Sequence, residues 1–244
     1  GINILGGAEY TVPEQMEMLR RVGWGGVFTG WNKEKTTEWA LAADRLGLIY
    51  QSIHSPFYEV RYLWEDGDKG KEVANGLIDC VKDCHANHIP VMVIHPFIGF
   101  EDHNPTEIGL ENYARVVDVA DRLGVRLGFE NVEGEEYLAA LMKRFWNEPS
   151  CGFCLDTGHA SISRVDMGDI VRSCAKHLRC MHIHDTNGYY DLHLPPFMGV
   201  VNWNSFTDAL AEIGYEGTMN LESEINRGAP ITKEFSDMLG KMGS

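Results

Sequence analysis

The stretch Cys151-Gly152-Phe153-Cys154-Leu155-Asp156-Thr157-Gly158-His159 sets the frame for the whole chain. An apolar run of strand length ends in an acid, Asp156, and a histidine follows three residues later. The same event recurs along the sequence. Ser52-Ile53 leads into His54, Val91 to Ile94 into His95, Leu127 to Phe129 into Glu130, and Met219 to Leu221 into Glu222. Cys180 to His184 carries His182 and His184. Asp156 lies 26 residues after Glu130, and His182 lies 26 after Asp156. One strand end of this kind would mean little. Six of them point to a single site, assembled along one edge of a sheet of parallel strands.

Working outward, helical patterns separate the apolar runs. Strands are expected at residues 2–5, 26–29, 48–53, 91–94, 126–129, 151–155, 179–183 and 218–221. Helices are expected at 13–22, 35–46, 71–87, 106–123, 135–145, 167–177, 203–213 and 231–241. Thr11 reads as a cap ahead of Pro13, and Gly23, Gly47, Gly124 and Gly214 read as stops. Strands joined by helical crossovers run parallel, and an eightfold alternation at this length closes into an α/β single (β/α)8 TIM barrel. An open doubly wound sheet would need a glycine-rich fingerprint after the first strand, and Gly6-Gly7-Ala8 does not supply it. No linker or low-complexity segment interrupts the pattern, so one domain over 1–244 is expected.

Composition narrows the function classes. The net charge of −15 argues against general nucleic-acid binding, and no Lys/Arg cluster overrides it. No apolar run approaches the length of a membrane span, and the first residues lack the basic region of a signal peptide. Six cysteines in 244 residues do not form a secreted framework, so a reducing, cytoplasmic setting is expected. Cys151 and Cys154 lie within one strand on opposite faces and read as packing residues, as do Cys80 and Cys84 at helical spacing. His85, His88, His103 and His177 fall in expected helices or loops and read as structural.

In a barrel the active site lies at the C-terminal strand ends. Glu130, Asp156, His182 and Glu222 offer three carboxylates and an imidazole, a suitable shell for a divalent metal such as zinc, manganese or iron. Without a cation, three packed carboxylates would repel one another and one would take up a proton. Taken singly, a strand-end histidine is a loop anchor and an Asp before Thr-Gly is a turn former; the set is what favours a metal. His184 shares the strand parity of His182, so it is either a substrate contact or a hydrogen-bonding support. Residues 55–70 form an aromatic loop over a strand end, either a wall or lid for substrate or an ordinary packing loop. Trp31, Phe57, Phe97 and Trp203 are candidate apolar walls, and Arg61, Arg164 and Arg227 could meet an anionic group.

Through "SIHSPF", "VIHPF", "GFENVEG", "CLDTGHA", "MHIHDTNG", "DLHLPPFMGVVNW" and "NLESE", the chain resembles the xylose isomerase-like TIM-barrel superfamily over its whole length. The resemblance implies two roles for the same atoms. As in the ketose epimerases, residues matching Glu130, Asp156, His182 and Glu222 would hold one metal, with Glu130 and Glu222 as acid and base and His159 on the substrate. As in the type IV apurinic endonucleases, a three-zinc cluster would add His54, His95, His159, Asp191 and His193. The loop after His182 lacks the arginine that looks substrate-binding in the ketose epimerases and carries Asp191-x-His193 instead. The resemblance therefore implies a sugar or sugar-phosphate isomerase or epimerase working through an enediolate, with one to three divalent metals (zinc or manganese) per chain. The other outcome it implies is a multinuclear zinc phosphodiester hydrolase. A non-catalytic metal- or sugar-binding barrel fits least, because the acid/base pair is intact. The expected partner is a small carbohydrate-like substrate, with no nucleic acid and no membrane; an oligomer remains open.

Overall fold

The computed structural model describes residues 1–4, 10–99 and 104–223. The expected last helix, His103 and Arg227 lie outside them. Eight parallel strands run β1 (Ile2–Ile4), β2 (Gly26–Gly30), β3 (Ile49–His54), β4 (Val91–Ile94), β5 (Arg126–Glu130), β6 (Cys151–Asp156), β7 (Leu178–Ile183) and β8 (Asn220–Leu221). They pair in sequence order, and β1 closes on β8 through Ile2 and Leu221. The architecture is a closed eight-stranded TIM barrel, as the alternation predicts.

The helices are α1 (Val12–Arg21), α2 (Thr36–Leu46), α3 (Asp68–Ala86), α4 (Glu107–Leu123), α5 (Glu135–Phe145), α6 (Thr157–Ile162), α7 (Met167–Cys174) and α8 (Trp203–Glu212). Thr11 and Glu14 form a reciprocal capping box ahead of α1, satisfying two backbone N–H groups that the first turn leaves open. Gly47 and Gly124 close α2 and α4 in the left-handed conformation, which only glycine adopts without cost.

Side-chain alternation fixes where the site must be. Val91, Val93, Cys154 and Cys180 pack together inside the barrel. Gly128 joins them; a Cβ there would stand 2.9 Å from Cys180 Sγ. Alternate residues such as Met92, Leu127, Phe129, Leu155 and Met181 belong to the separate, larger core that includes the helices. A side chain two residues beyond an inward one also faces inward. His95 follows Val93 in this way, Glu130 follows Gly128, Asp156 follows Cys154 and His182 follows Cys180. The candidate site is thus the topmost layer of the barrel interior. The described cysteines are all free.

Two features differ from the expected elements. Residues 55–70 contain a 3-10 turn, Val60–Trp64, and α3 starts earlier, at Asp68. The Trp64 indole packs on Tyr113 and Tyr137 and donates from Nε1 to the Pro96 carbonyl at 2.8 Å. This end of the loop therefore seals the α3–α4 junction, the packing alternative, while Phe57 lies against His54 and His95. The second difference is α6, a helix that begins directly after Asp156.

Candidate metal centre

The ends of β5, β6, β7 and β8 each contribute one polar side chain to a common centre. Glu130, Asp156, His182 and Glu222 each place a ligand atom within 4.8 Å of the others. His182 Nδ1 lies 2.9 Å from Glu130 Oε1 and 3.1 Å from Glu222 Oε2. Phe28 stacks on the His182 ring at 4.9 Å and fixes its plane. To one side stand His54 and His95, whose Nε2 atoms lie 3.4 and 3.3 Å from Glu130 Oε2 and 3.1 Å from each other. To the other stand His159, Asp191 and His193. Asp191 Oδ2 lies 3.4 Å from His159 Nε2 and 3.1 Å from His193 Nε2.

Asp156 does two jobs. Its Oδ1 caps α6 by accepting from His159 N at 2.7 Å. Both of its oxygens lie 3.0 Å from His184 Nε2. Asn131 holds the Asp156 backbone on both sides, accepting its N–H at 2.7 Å and donating to its carbonyl at 2.9 Å. The Asn131 carbonyl also bonds His159 Nδ1 at 2.9 Å, which leaves Nε2 for the site. A carboxylate oriented by such partners is the supporting arrangement metal ligands use.

The electrostatics follow from burial and pairing. Burial opposes charge on Glu130, yet the His182, His54 and His95 imidazoles outweigh it and hold the carboxyl well below its ordinary range. Asp156 is buried too, and His159 and His184 keep it low. Burial opposes charge on His159 and His193; Asp156 and Asp191 push the first up to about 10, and Asp191 and Glu222 push the second up to about 9. His182 is raised by Glu130 and Glu222 against its burial. Burial lowers His95. Metal-free, the site balances its carboxylates with protons on imidazoles.

A divalent cation fits this donor set. Glu130 Oε2 is buried without a hydrogen-bond partner. The carboxylates and imidazoles converge as a cation's ligands would, and a bound cation would replace the protons that now offset their charge.

The structure brings together all nine residues expected for a multinuclear site, together with His184. His184 is fully buried, and its ring lies so close to Gly158 that a Cβ there would overlap it. Of its two readings, the geometry fits the support for Asp156 rather than a group open to substrate. The proposed apolar walls separate. Phe57 borders His54 and His95. Trp31 turns its Nε1 to Asp83 on α3 at 2.8 Å, Phe97 stacks on Tyr137 at 4.1 Å, and Trp203 Nε1 donates to Asp185 at 3.0 Å. Those three are held by packing partners. Arg61 reaches the Tyr62 hydroxyl at 3.1 Å, and Arg164 lies in an exposed left-handed turn after α6. His85 bonds the Leu123 carbonyl and His177 packs on Trp146, both structural roles. Asn131 and Asp185 escaped the sequence reading; Asn131 follows Glu130 and Asp185 follows His184, and adjacency to a strand-end ligand was the available signal.

A family model described as a xylose isomerase-like TIM barrel matches residues 14–241. The chain belongs to the xylose isomerase-like TIM-barrel family. Within it, the chain is 30% identical over 185 residues to a ketose 3-epimerase of Arthrobacter globiformis, covering 70% of this chain and 60% of that protein. It is 25% identical over 202 residues to an uncharacterized protein of Methanocaldococcus jannaschii, covering 75% of this chain and 67% of that one. Among solved structures, a 3-keto-D-glucoside 4-epimerase of E. coli shares the fold at TM-score 0.80 and 13% identity, over 100% of this chain and 98% of that one. A D-psicose 3-epimerase of Clostridium cellulolyticum H10 with D-tagatose shares it at TM-score 0.76 and 18% identity, over 99% and 93%. No helix among the described residues is long and apolar enough to cross a membrane.

Proposed function

We propose that this chain is a divalent-metal-dependent isomerase or epimerase of a small sugar or related polyol-carbonyl compound. The observation that carries the reading is the pair Glu130 and Glu222, whose carboxylates reach the same His182 Nδ1 from β5 and from the end of β8. Epimerisation next to a carbonyl needs one group to take a proton from carbon and another to return one. Two carboxylates flanking one small space meet that need. Asp156 and His182 complete the metal's ligands, together with Glu130 and Glu222. A divalent cation supplies Lewis acidity there, polarising a carbonyl so that the neighbouring C–H becomes acidic. His182, His54 and His95 keep Glu130 in the ionised form that a base requires, while lowering its basicity. Phe57 covers the His54 and His95 imidazoles on one side. The similarity to a ketose 3-epimerase supports the same reaction class.

The test is ketohexose interconversion in D2O by the metal-loaded chain. Epimerisation with deuterium entering at the inverted carbon supports the reading, and Glu222→Gln should abolish it with the fold intact. Turnover retained by Glu222→Gln removes that residue from proton transfer, and failure on all ketoses and their phosphates sinks the reaction class.

A second reading rests on a separate observation. His54, His95 and Glu130 form one further ligand group, and Asp156, His159 and His184 another, with Asp191 and His193 alongside. A multinuclear zinc site of that kind would serve phosphodiester hydrolysis by clamping phosphate oxygens. Hydrolysis of bis(p-nitrophenyl) phosphate by the zinc-loaded chain, without ketose turnover, would favour it.

A further inference from the structure

Asp191 and His193 reach the centre from the connection between β7 and α8, not from a strand. Asp191 Oδ2 meets His159 and His193, and the His193 ring stacks on His184 at 4.2 Å with the planes 15° apart. His193 Nδ1 bonds the Glu222 carbonyl at 2.6 Å. His193 holds a φ of 46°, a conformation that costs a residue with a Cβ and persists where the surroundings impose it. Fixing such a connection also costs backbone freedom at every residue, so something must hold it.

The bonds that hold it converge on Asp185. This residue follows His184 and is fully buried, and both of its carboxylate oxygens are used. Oδ1 accepts from Thr186 N at 2.8 Å and from Val201 N at 3.1 Å, and Oδ2 accepts from Trp203 Nε1 at 3.0 Å. One side chain thus joins the start of the connection to its end and to the first residue of α8. The Asp185 backbone holds the middle: it exchanges N–H to carbonyl bonds with Leu194 at 2.7 and 2.9 Å, and Leu194 is the residue after His193. At Gly199 the chain passes so close to the carboxylate that a Cβ would overlap Asp185 Oδ1 and the Thr186 carbonyl. A carboxylate suits three donors because it offers two acceptor oxygens and no donor; an amide would turn an NH2 towards one of them.

The four strand-end ligands are held by other bonds. Glu130, Asp156 and His182 sit in paired strands, and Glu222 N donates to the Ile183 carbonyl at 3.0 Å. Asn131 fixes the Asp156 backbone from the end of β5. None of these bonds involves Asp185.

We propose that Asp185 is a positioning residue. It presents Asp191 and His193 to the centre as one arm, held separately from the four strand-end ligands, so the arm can be displaced while those four stay in place. The proposal is the same whichever reaction the centre performs, because it concerns how the arm is held.

The experiment compares the full wild-type chain with Asp185→Asn, Trp203→Phe and the double variant. Aromatic proton NMR of the metal-free protein reads the stacking of His193 on His184, with the His193 signals assigned by their loss in His193→Gln. In Asp185→Asn the amide would face the Trp203 N–H donor to donor. The His193 ring protons should then move towards the values of an unstacked imidazole, while those of His54 and His95 stay. Trp203→Phe removes a single donor and should displace the same signals less, which keeps the test available if Asp185→Asn does not fold. In the double variant the opposed donors are gone, so the displacement should be smaller than the sum of the single ones. Calorimetric titration with Mn²⁺ reads the strand-end ligands. Trp203→Phe leaves every charge in place and should bind the first Mn²⁺ within about 2-fold of wild type, as for a site the change does not touch. His193 signals unchanged in both single variants would overturn the proposal. Equal displacement of His54, His95 and His193 would overturn it as well, since that marks general loosening, and additive displacement in the double variant would refute the link between Asp185 and Trp203. A loss of Mn²⁺ affinity of about 10-fold or more in Trp203→Phe, the size expected for a group supporting a ligand directly, would refute separate holding of the arm.

Discussion

Gly158→Ala probes the link between packing and the metal centre. A Cβ at this position would stand 2.5 Å from His184 Nδ1 and 2.6 Å from Nε2, and closer still to Cε1. The ring would have to recede by about 1.5 Å to reach ordinary van der Waals distance. Both contacts from His184 Nε2 to Asp156 are 3.0 Å, so a move of that size breaks them. Overpacking of a close-packed interior costs about 1–3 kcal/mol. Losing a hydrogen bond to a buried charge adds about 1.5–3 kcal/mol. For a chain of this length, the melting temperature of the metal-free protein should fall by roughly 5–24 °C. Asp156 would keep only the His159 N–H and would be less well oriented, so metal affinity should drop about 10- to 100-fold. Gly76→Ala on α3 is the control: nothing lies within 4 Å of its Cβ, and the change should stabilise by about 0.5–1 kcal/mol. Thermal melts and metal titration of both variants decide the matter. Wild-type melting and metal affinity in Gly158→Ala would refute the claim that His184 is wedged between Gly158 and Asp156.

Other perturbations address separate parts of the account. Glu130→Gln leaves three imidazoles facing a neutral group, and should destabilise the metal-free protein by about 3–5 kcal/mol in a denaturant titration. His159 and His193 have pKa values raised to about 10 and about 9 from an ordinary value of 6.5, so their contribution is fully present below pH 6.5 and lost as pH rises through those values. The metal-free melting temperature should therefore fall between pH 7 and 10, and a flat profile would mean that these imidazoles are not held protonated. If His159 and His193 also bind metal, as in the multinuclear reading, metal affinity should rise over the same window because binding expels those protons. Burial pushes the Cys151 thiol up to about 12, so alkylation at pH 8 should be slow until the chain unfolds; rapid native labelling at Cys151 would contradict its packing.

The barrel and the top layer of its interior were legible because both depend on periodicity. A strand whose last inward residue is small or apolar, such as Gly128 or Cys154, places the next inward residue at the mouth. Asp156 illustrates what was not legible. Its role as the cap of α6 depends on the chain turning directly from strand to helix, and Thr157-Gly158 carries no hydrophobic periodicity to announce that turn. The 55–70 loop was open to two readings because Phe57 and Trp64 look alike in sequence; their different neighbours come from α4 and the strand ends, far along the chain. Trp31 and Phe97 follow strand ends as Phe57 does, and Trp203 opens α8, yet Asp83, Tyr137 and Asp185 engage them. Composition cannot reveal such partners. The support of Asp156 by His184 follows strand parity, but choosing between support and substrate contact required the distance to Asp156.

Elemental analysis of the chain purified without chelator or a metal-affinity step tests the central claim most directly. The account predicts close to one exchangeable divalent ion per chain, absent when Asp156 and His182 are replaced together; in the unaltered chain, stripping the ion should abolish ketose turnover and Mn²⁺ should restore it. Two or three tightly held zinc ions per chain would contradict it in favour of the hydrolytic cluster, and no specifically bound metal would contradict both.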